Sequence, residues 1–305
     1  MDEIIFKSAG YIAIIAVSYT LKLKGVLKRE DSDIFMKLLL YITLPCAVIS
    51  AFSLGGGVNG LEILPLLGFL ANIVMTVVGR LFAIRKDKTT AALYMINMSG
   101  FNIGAFSMPF IQSFFSPSAV TAVCMFDAGN AIMCTGGIYS FSKSYCGGKV
   151  SAGYFFKNLF SSVAFDTYLF MFLLTILGLK LPASLVSFFT VAGNANGFVA
   201  MFLIGLLLDF QPKRSFLKPA ILILAVRYAF AALLSAGCYY LLPFDHELRC
   251  ALAVIVFAPM TSVAPAFTEK CGAKSDISGF AGSCSFVLSI LIMMTLMLVF
   301  GIKTS

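Results

Sequence analysis

The chain has no tryptophan, a single histidine (His246) and only 12% charged residues among 305. A soluble domain carries about a quarter charged residues. So small a share cannot cover a globule with water-facing surface. Together with 60% hydrophobic residues and a mean hydropathy of +0.96, this places the chain in a bilayer. Without tryptophan, any aromatic belt at the membrane interface must rely on Tyr and Phe. One histidine and eight scattered cysteines with no CxxC pair give no metal-ligand spacing. The cysteines read as small buried hydrophobes, and no metal or cofactor is expected. The chain also lacks a nucleophile–base pair or a two-carboxylate site, so an enzyme is not expected. Acidic residues are scarce as well, and the net charge is +8. The basic residues lie between apolar segments, where they orient a membrane protein rather than bind nucleic acid. The start, Met1-Asp2-Glu3, is acidic where a cleaved signal peptide begins basic, so the first apolar segment is expected to be retained.

Ten apolar segments are present: Ile4–Leu21, Phe35–Leu54, Ile63–Ile84, Ala91–Phe115, Ala119–Phe141, Ser161–Leu179, Leu185–Leu208, Leu217–Leu242, Arg249–Thr268 and Ile277–Gly301. Each approaches the ~20 residues that a spanning helix needs. Odd-numbered connections carry the basic residues. The first has Lys22, Lys24, Lys28 and Arg29; the third has Arg85, Lys86 and Lys88; the fifth has Lys143, Lys149 and Lys157. The seventh has Lys213, Arg214 and Lys218, and the ninth has Lys270 and Lys274. Even connections hold only Lys180 and Arg249. By the positive-inside rule the odd connections are cytoplasmic and both termini face outward. The halves match at an offset of about 156 residues, which lays Pro109 on Pro265. Five helices per half is an odd number, so the halves take opposite orientations and form an inverted repeat. The predicted units are 1–145 and 146–305.

Two of these segments should not be continuous helices. Ser99-Gly100-Phe101-Asn102-Ile103-Gly104-Ala105-Phe106-Ser107-Met108-Pro109 places two glycines, an amide and a proline within the fourth. Ala258-Pro259-Met260-Thr261-Ser262-Val263-Ala264-Pro265 interrupts the ninth. Proline removes a backbone donor and clashes with the preceding turn. Paired breaks at corresponding positions of two halves point to a transporter binding site. The fourth segment could instead be a kinked helix with a Gly100–Gly104 packing face. At a break, half-helix N-termini favour an anion and half-helix C-termini a cation. The candidate substrate-binding residues are Asn102, Asn130, Arg227, Thr261 and Ser262. Gly100, Gly104, Pro109, Pro259 and Pro265 are expected to form the crossover. Charges at membrane depth are costly and mark a pathway, a partner or a relay. Asp127 and Asp166 are therefore candidates for ion coupling. A structural ion pair between Arg227 and either aspartate is the alternative, and for Asp166 a further one is service to the helix dipole. In the seventh segment, Gly193-Asn194-Ala195-Asn196-Gly197 suggests close helix contact with a polar lining.

Several of these stretches resemble the auxin efflux carrier family in its short bacterial form. They are Leu38-Leu39-Leu40-Tyr41-Ile42-Thr43-Leu44-Pro45, Asn102 to Pro109, Phe126-Asp127-Ala128-Gly129-Asn130 and Ala200 to Leu208. Ala225-Val226-Arg227-Tyr228, then Pro259, Phe267-Thr268-Glu269-Lys270 and Asp276-Ile277-Ser278, continue the likeness in order. The resemblance implies a ten-helix fold with crossing broken helices 4 and 9 and elevator-type movement. Helices 1, 2, 6 and 7 would be the scaffold and dimer surface, and helices 3–5 and 8–10 the transport unit. It implies carboxylate cargo, with Asn102 and Asn130 at the anion and Pro109 and Pro259 as crossover prolines. Asn102-Ile103 departs from the commoner Asn-Thr, Pro265 is an extra proline, and the long loop of the plant carriers is missing.

The expected function is a secondary carrier of a small organic carboxylate in the cytoplasmic membrane, coupled to sodium, to protons or to neither. A sodium- or proton-coupled cation antiporter is the related alternative, and a non-transporting membrane sensor the more distant one.

Overall fold

The computed structural model describes residues 2–208 and 214–302, so Met1 and Lys213 lie outside the described residues. The protein is all-helical. Among the described residues there is no strand, and one isolated antiparallel bridge pairs Phe101 with Met260. Lipid offers the backbone no hydrogen-bond partners, so each crossing segment must satisfy its own N–H and C=O groups, and the helix does so.

The helices in order are α1 (Asp2–Leu23), α2 (Ser32–Leu38), α3 (Leu44–Leu54), α4 (Ile63–Phe82), α5 (Lys88–Met98), α6 (Met108–Phe114), α7 (Pro117–Ile132) and α8 (Ile138–Tyr145). They continue with α9 (Ala152–Leu159), α10 (Val163–Ile176), α11 (Ala183–Asn194), α12 (Asn196–Leu207), α13 (Arg214–Leu241), α14 (His246–Ile255), α15 (Ala264–Lys270) and α16 (Ser275–Val299). Among the described residues, six helical stretches are long and apolar enough to cross a membrane: Arg29–Leu54, Ile63–Phe82, Pro117–Tyr145, Ala183–Leu207, Arg214–Leu241 and Ser275–Val299. α9 and α10 meet at 73° and would count as a seventh if taken as one bent span.

The burial pattern is that of a membrane protein. On α4 the exposed side chains are large and aliphatic, including Leu66, Leu70, Val74, Val77 and Leu81. The buried face carries Gly68, Ala71, Asn72, Thr76 and Gly79. Small residues let helix backbones approach closely where lipid faces cannot. A β-carbon on Gly79 would lie 2.8 Å from the Cα of Met95 on α5. At the water-facing start of α5, Asp87 accepts the Thr90 N–H at 2.9 Å. The Thr89 and Thr90 hydroxyls beside it hold its carboxyl below the usual carboxylate range.

The fourth and ninth expected segments are each two short helices. α5 and α6 have 11 and 7 residues, and α14 and α15 have 10 and 7. Proline does not make the first break. Ser99 to Asn102 contains none, and Gly100 turns the chain at φ +78°, a left-handed conformation that side chains other than glycine's avoid. Pro109 lies at the start of α6, and Pro265 at the start of α15. α15 follows non-helical residues, so a missing N–H costs nothing there; α6 follows the π-helical turn Ile103–Ser107 without a gap, so Pro109 lies past the first turn of that helical run. Gly104 sits in a π-helical turn, Ile103–Ser107, and so is not part of a straight packing face with Gly100. A second π-helical turn, Leu39–Thr43, precedes Leu44-Pro45. The Gly193-to-Gly197 stretch parts α11 from α12 at Ala195. A β-carbon on Gly193 would meet the Ala47 Cα at 2.8 Å, so α11 and α3 are in close contact there.

α1 packs on α12, α3 on α7, α10 and α11, α4 on α5 and α7, and α13 on α14 and α16. α10 also touches α7, and α12 touches α6.

Candidate functional site

The two breaks meet inside the protein. The Asn102 N–H donates to the Pro259 carbonyl at 2.9 Å, beside the Phe101–Met260 bridge. Strand-like pairing gives the unwound backbone the partners that its helices have left behind. Asn130, 2% exposed on α7, holds the first break like a second strand. Its Oδ1 accepts the Phe101 N–H at 3.0 Å, and its Nδ2 donates to the Phe101 carbonyl at 2.7 Å. Asn72 on α4 accepts the Gly100 N–H at 2.7 Å and donates to Asn130 Oδ1 at 3.1 Å. In the second break, the Met260 N–H donates to Ser285 Oγ on α16 at 3.1 Å.

Arg227 reaches the crossing from α13 and is 2% exposed. Nη1 donates to the Met98 and Ser99 carbonyls at 3.0 and 3.3 Å. Nη2 donates to the Ala258 and Pro259 carbonyls, both at 2.9 Å. Nε is buried without a hydrogen-bond partner, and the guanidinium carbon lies 5.0 Å from the Phe101 ring centroid. The terminal nitrogens therefore face backbone, and Arg227 is not among the residues that line the cavity beside the crossing. No ion pair forms with Asp127, whose carboxylate accepts from Asn130 Nδ2 and from the Tyr168 hydroxyl, each at 2.7 Å. The Gly104 N–H also donates to that carboxylate. Asn130 spends both amide protons on Phe101 and Asp127, so it too has no donor left for a ligand.

A cavity of about 390 Å³ opens beside the crossing. Asn102, Gly104, Asp127, Thr261 and Ser262 line it, and Lys270 stands at its mouth with Tyr154 and Asn158. Asn102 is 9% exposed, and its side chain, unlike that of Asn130, makes no capping hydrogen bond. Thr261 is buried and Ser262 half-buried, and the Thr261 methyl lies against Gly100. Asp166 is not part of this group. It is half-buried in the first turn of α10, where it complements the helix dipole.

A second cavity has a volume of about 310 Å³. Tyr11, Ser50, Gln112, Ser113, Thr190 and Asn194 supply its polar lining. Leu44 and Gly104 border the first cavity, whereas Ala47 and Pro109, about a turn further along their helices, border the second. Leu44 packs against Gly104, where a β-carbon would lie 2.9 Å from its Cδ2.

Several residues that hold this site lie outside the expected set. Asn72 was legible as an amide inside an apolar segment. Asn97 was too; its Nδ2 donates to Thr268 Oγ1 at 3.0 Å and its Oδ1 accepts from Ser278, which ties α5 to α15 and α16. Tyr168 left no signal, because an aromatic residue in a spanning helix is unremarked until its hydroxyl finds a partner.

No family model matches the chain. A protein of Methanothermobacter thermautotrophicus named an uncharacterized transporter is 22% identical over 294 residues, covering 93% of each chain.

Proposed function

We propose that this protein is a secondary carrier that moves a small organic carboxylate across the cytoplasmic membrane. One observation carries the reading. Two interrupted helices meet at their breaks, beside a cavity into which an uncommitted amide, Asn102, and the hydroxyl residues Thr261 and Ser262 project, with Lys270 at the entrance. Hydrogen-bond donors near unwound backbone and a cation at the mouth suit an oxyanion. The likeness to a protein named a transporter supports carriage in general.

The architecture proposed is ten spans in two inverted five-helix repeats, 1–145 and 146–305, with both termini outside. Matching anchors support it. Asn130 Oδ1 accepts the Phe101 N–H, and Ser285 Oγ accepts that of its bridge partner Met260. Pro109 and Pro265 lie in the second half of each broken helix. Elevator-type movement of one helix set against the other is supported by the two cavities, one bordered by Leu44 and the other by Ala47. A homodimer through helices 1, 2, 6 and 7 completes the proposal.

A cation-coupled antiporter is a second reading, favoured by one feature: Asp127 lines the same cavity. A thermal-shift panel separates the two. Mono- and dicarboxylates are tested on the purified protein, each with sodium or potassium and at two pH values. A ligand bound to the folded state raises its melting temperature by mass action. A shift for one carboxylate class is the expected result. A response to sodium or pH alone would select the antiporter. Carboxylate binding without flux in vesicles would select a sensor.

A further inference from the structure

We propose that Arg227 is a tethered resident cation, filling a backbone-carbonyl site at the crossing that would otherwise hold a monovalent metal ion. The last carbonyls of a helix have no partner within it and carry the negative end of its dipole. Two such ends converge here, one from α5 and one from the turn that follows α14. Both present carbonyls toward a single point, and at broken membrane helices such carbonyls coordinate sodium or a proton carrier.

The guanidinium occupies that point. Its two terminal nitrogens take the carbonyls of Met98, Ser99, Ala258 and Pro259 at 2.9 to 3.3 Å. The face of Phe101 covers it at 5.0 Å, and the side chain is sealed from solvent. Arginine stays protonated under all physiological conditions, and its planar fork meets paired oxygens better than an ammonium does. The Asp127 carboxylate is taken up by Tyr168 and Asn130 and forms no ion pair with Arg227, so the carbonyls are the partners of this charge. A tethered cation compensates the two dipole ends in every conformation of the crossing and cannot be carried away. Arg227 is thus a positioning residue that holds the two breaks together, and a metal ion is shut out of the same oxygens. None of this depends on what the cavity carries.

The test needs no cargo. Thermal unfolding of the purified protein is followed in sodium chloride and in choline chloride of equal ionic strength, with and without added methylguanidinium. The unaltered protein should melt at the same temperature in sodium and choline. Arg227→Gln, shorter and uncharged, should melt several degrees lower, and Arg227→Lys, which restores the charge, should recover part of that loss. Arg227→Ala should be stabilised by methylguanidinium where the unaltered protein is not. Equal stability of the Gln and Lys variants would overturn the proposal. So would an alanine variant no more responsive to methylguanidinium than its parent. A saturable sodium shift that persists in Asp127→Asn, where the carboxylate lining the cavity is gone, would overturn it too.

Discussion

Two asparagines look alike in the sequence and stand in opposite states. Asn102 borders the cavity with its amide uncommitted, while Asn130 grips both backbone groups of Phe101 and one oxygen of Asp127. Their alanine variants should therefore separate. In Asn102→Ala, carboxylate affinity should fall by roughly ten- to a hundredfold, the ~1.5–3 kcal/mol of a hydrogen bond to a charged group, with little change in melting temperature. Titration of the best ligand from the thermal-shift panel reads it, and unchanged affinity would remove Asn102 from the site. In Asn130→Ala, the buried Phe101 N–H loses its side-chain partner and Asp127 loses a donor. Each unpaired buried group costs about 1–3 kcal/mol, so the melting temperature itself should drop, with or without ligand. A variant as stable as its parent would show that the bridge to Met260 holds the break alone.

At the scale of the element, glycine and proline have exchanged the roles that local rules suggest for them. Proline in an apolar run reads as the breaking residue, yet Pro109 lies beyond the break, after the π-helical turn Ile103–Ser107. The turn itself is made by Gly100 at φ +78°. A β-carbon there would be strained, and it would also lie 2.9 Å from Thr261 Cγ2 and 3.2 Å from Ile138 Cδ1. Gly100→Ala should therefore abolish or sharply reduce flux and lower stability by a few kcal/mol, the scale of a forced overpacking. Pro109→Ala should keep the break and retain most of the flux. Vesicle flux assays on the two variants decide between them; the reverse order of severity would return the break to the proline. The break was legible in the sequence because glycine, amide and proline cluster where lipid tolerates none of them exposed. Its residue of origin was not, because a φ angle belongs to the folded backbone.

At the scale of the whole molecule, charge sets orientation and small residues set packing. Basic residues crowd the odd connections, which fixes the sidedness expected of the chain. Tags on either terminus should be reached by an impermeant label on intact cells, while a tag inserted near Lys149 should be reached only after permeabilisation. Labelling of neither terminus from outside would overturn the topology. Large aliphatics such as Leu70 and Val77 turn outward while Asn72 and Gly79 turn inward. This inversion of the soluble pattern follows from a solvent as apolar as leucine.

Composition and periodicity alone determined the class of this protein: an all-helical chain in a bilayer, with two interrupted segments and a set of polar groups at membrane depth. These properties are local or additive, since hydropathy sums along a segment and proline and glycine act on their own turns. Which polar group faces the cavity and which is consumed in holding the backbone was decided only by the tertiary structure. Arg227 lies 129 residues from Met98 and 31 from Ala258, yet it binds the carbonyls of both. Hydrogen bonds between residues so far apart exist only once the helices are packed, because the unwound carbonyls that attract the guanidinium meet nowhere else.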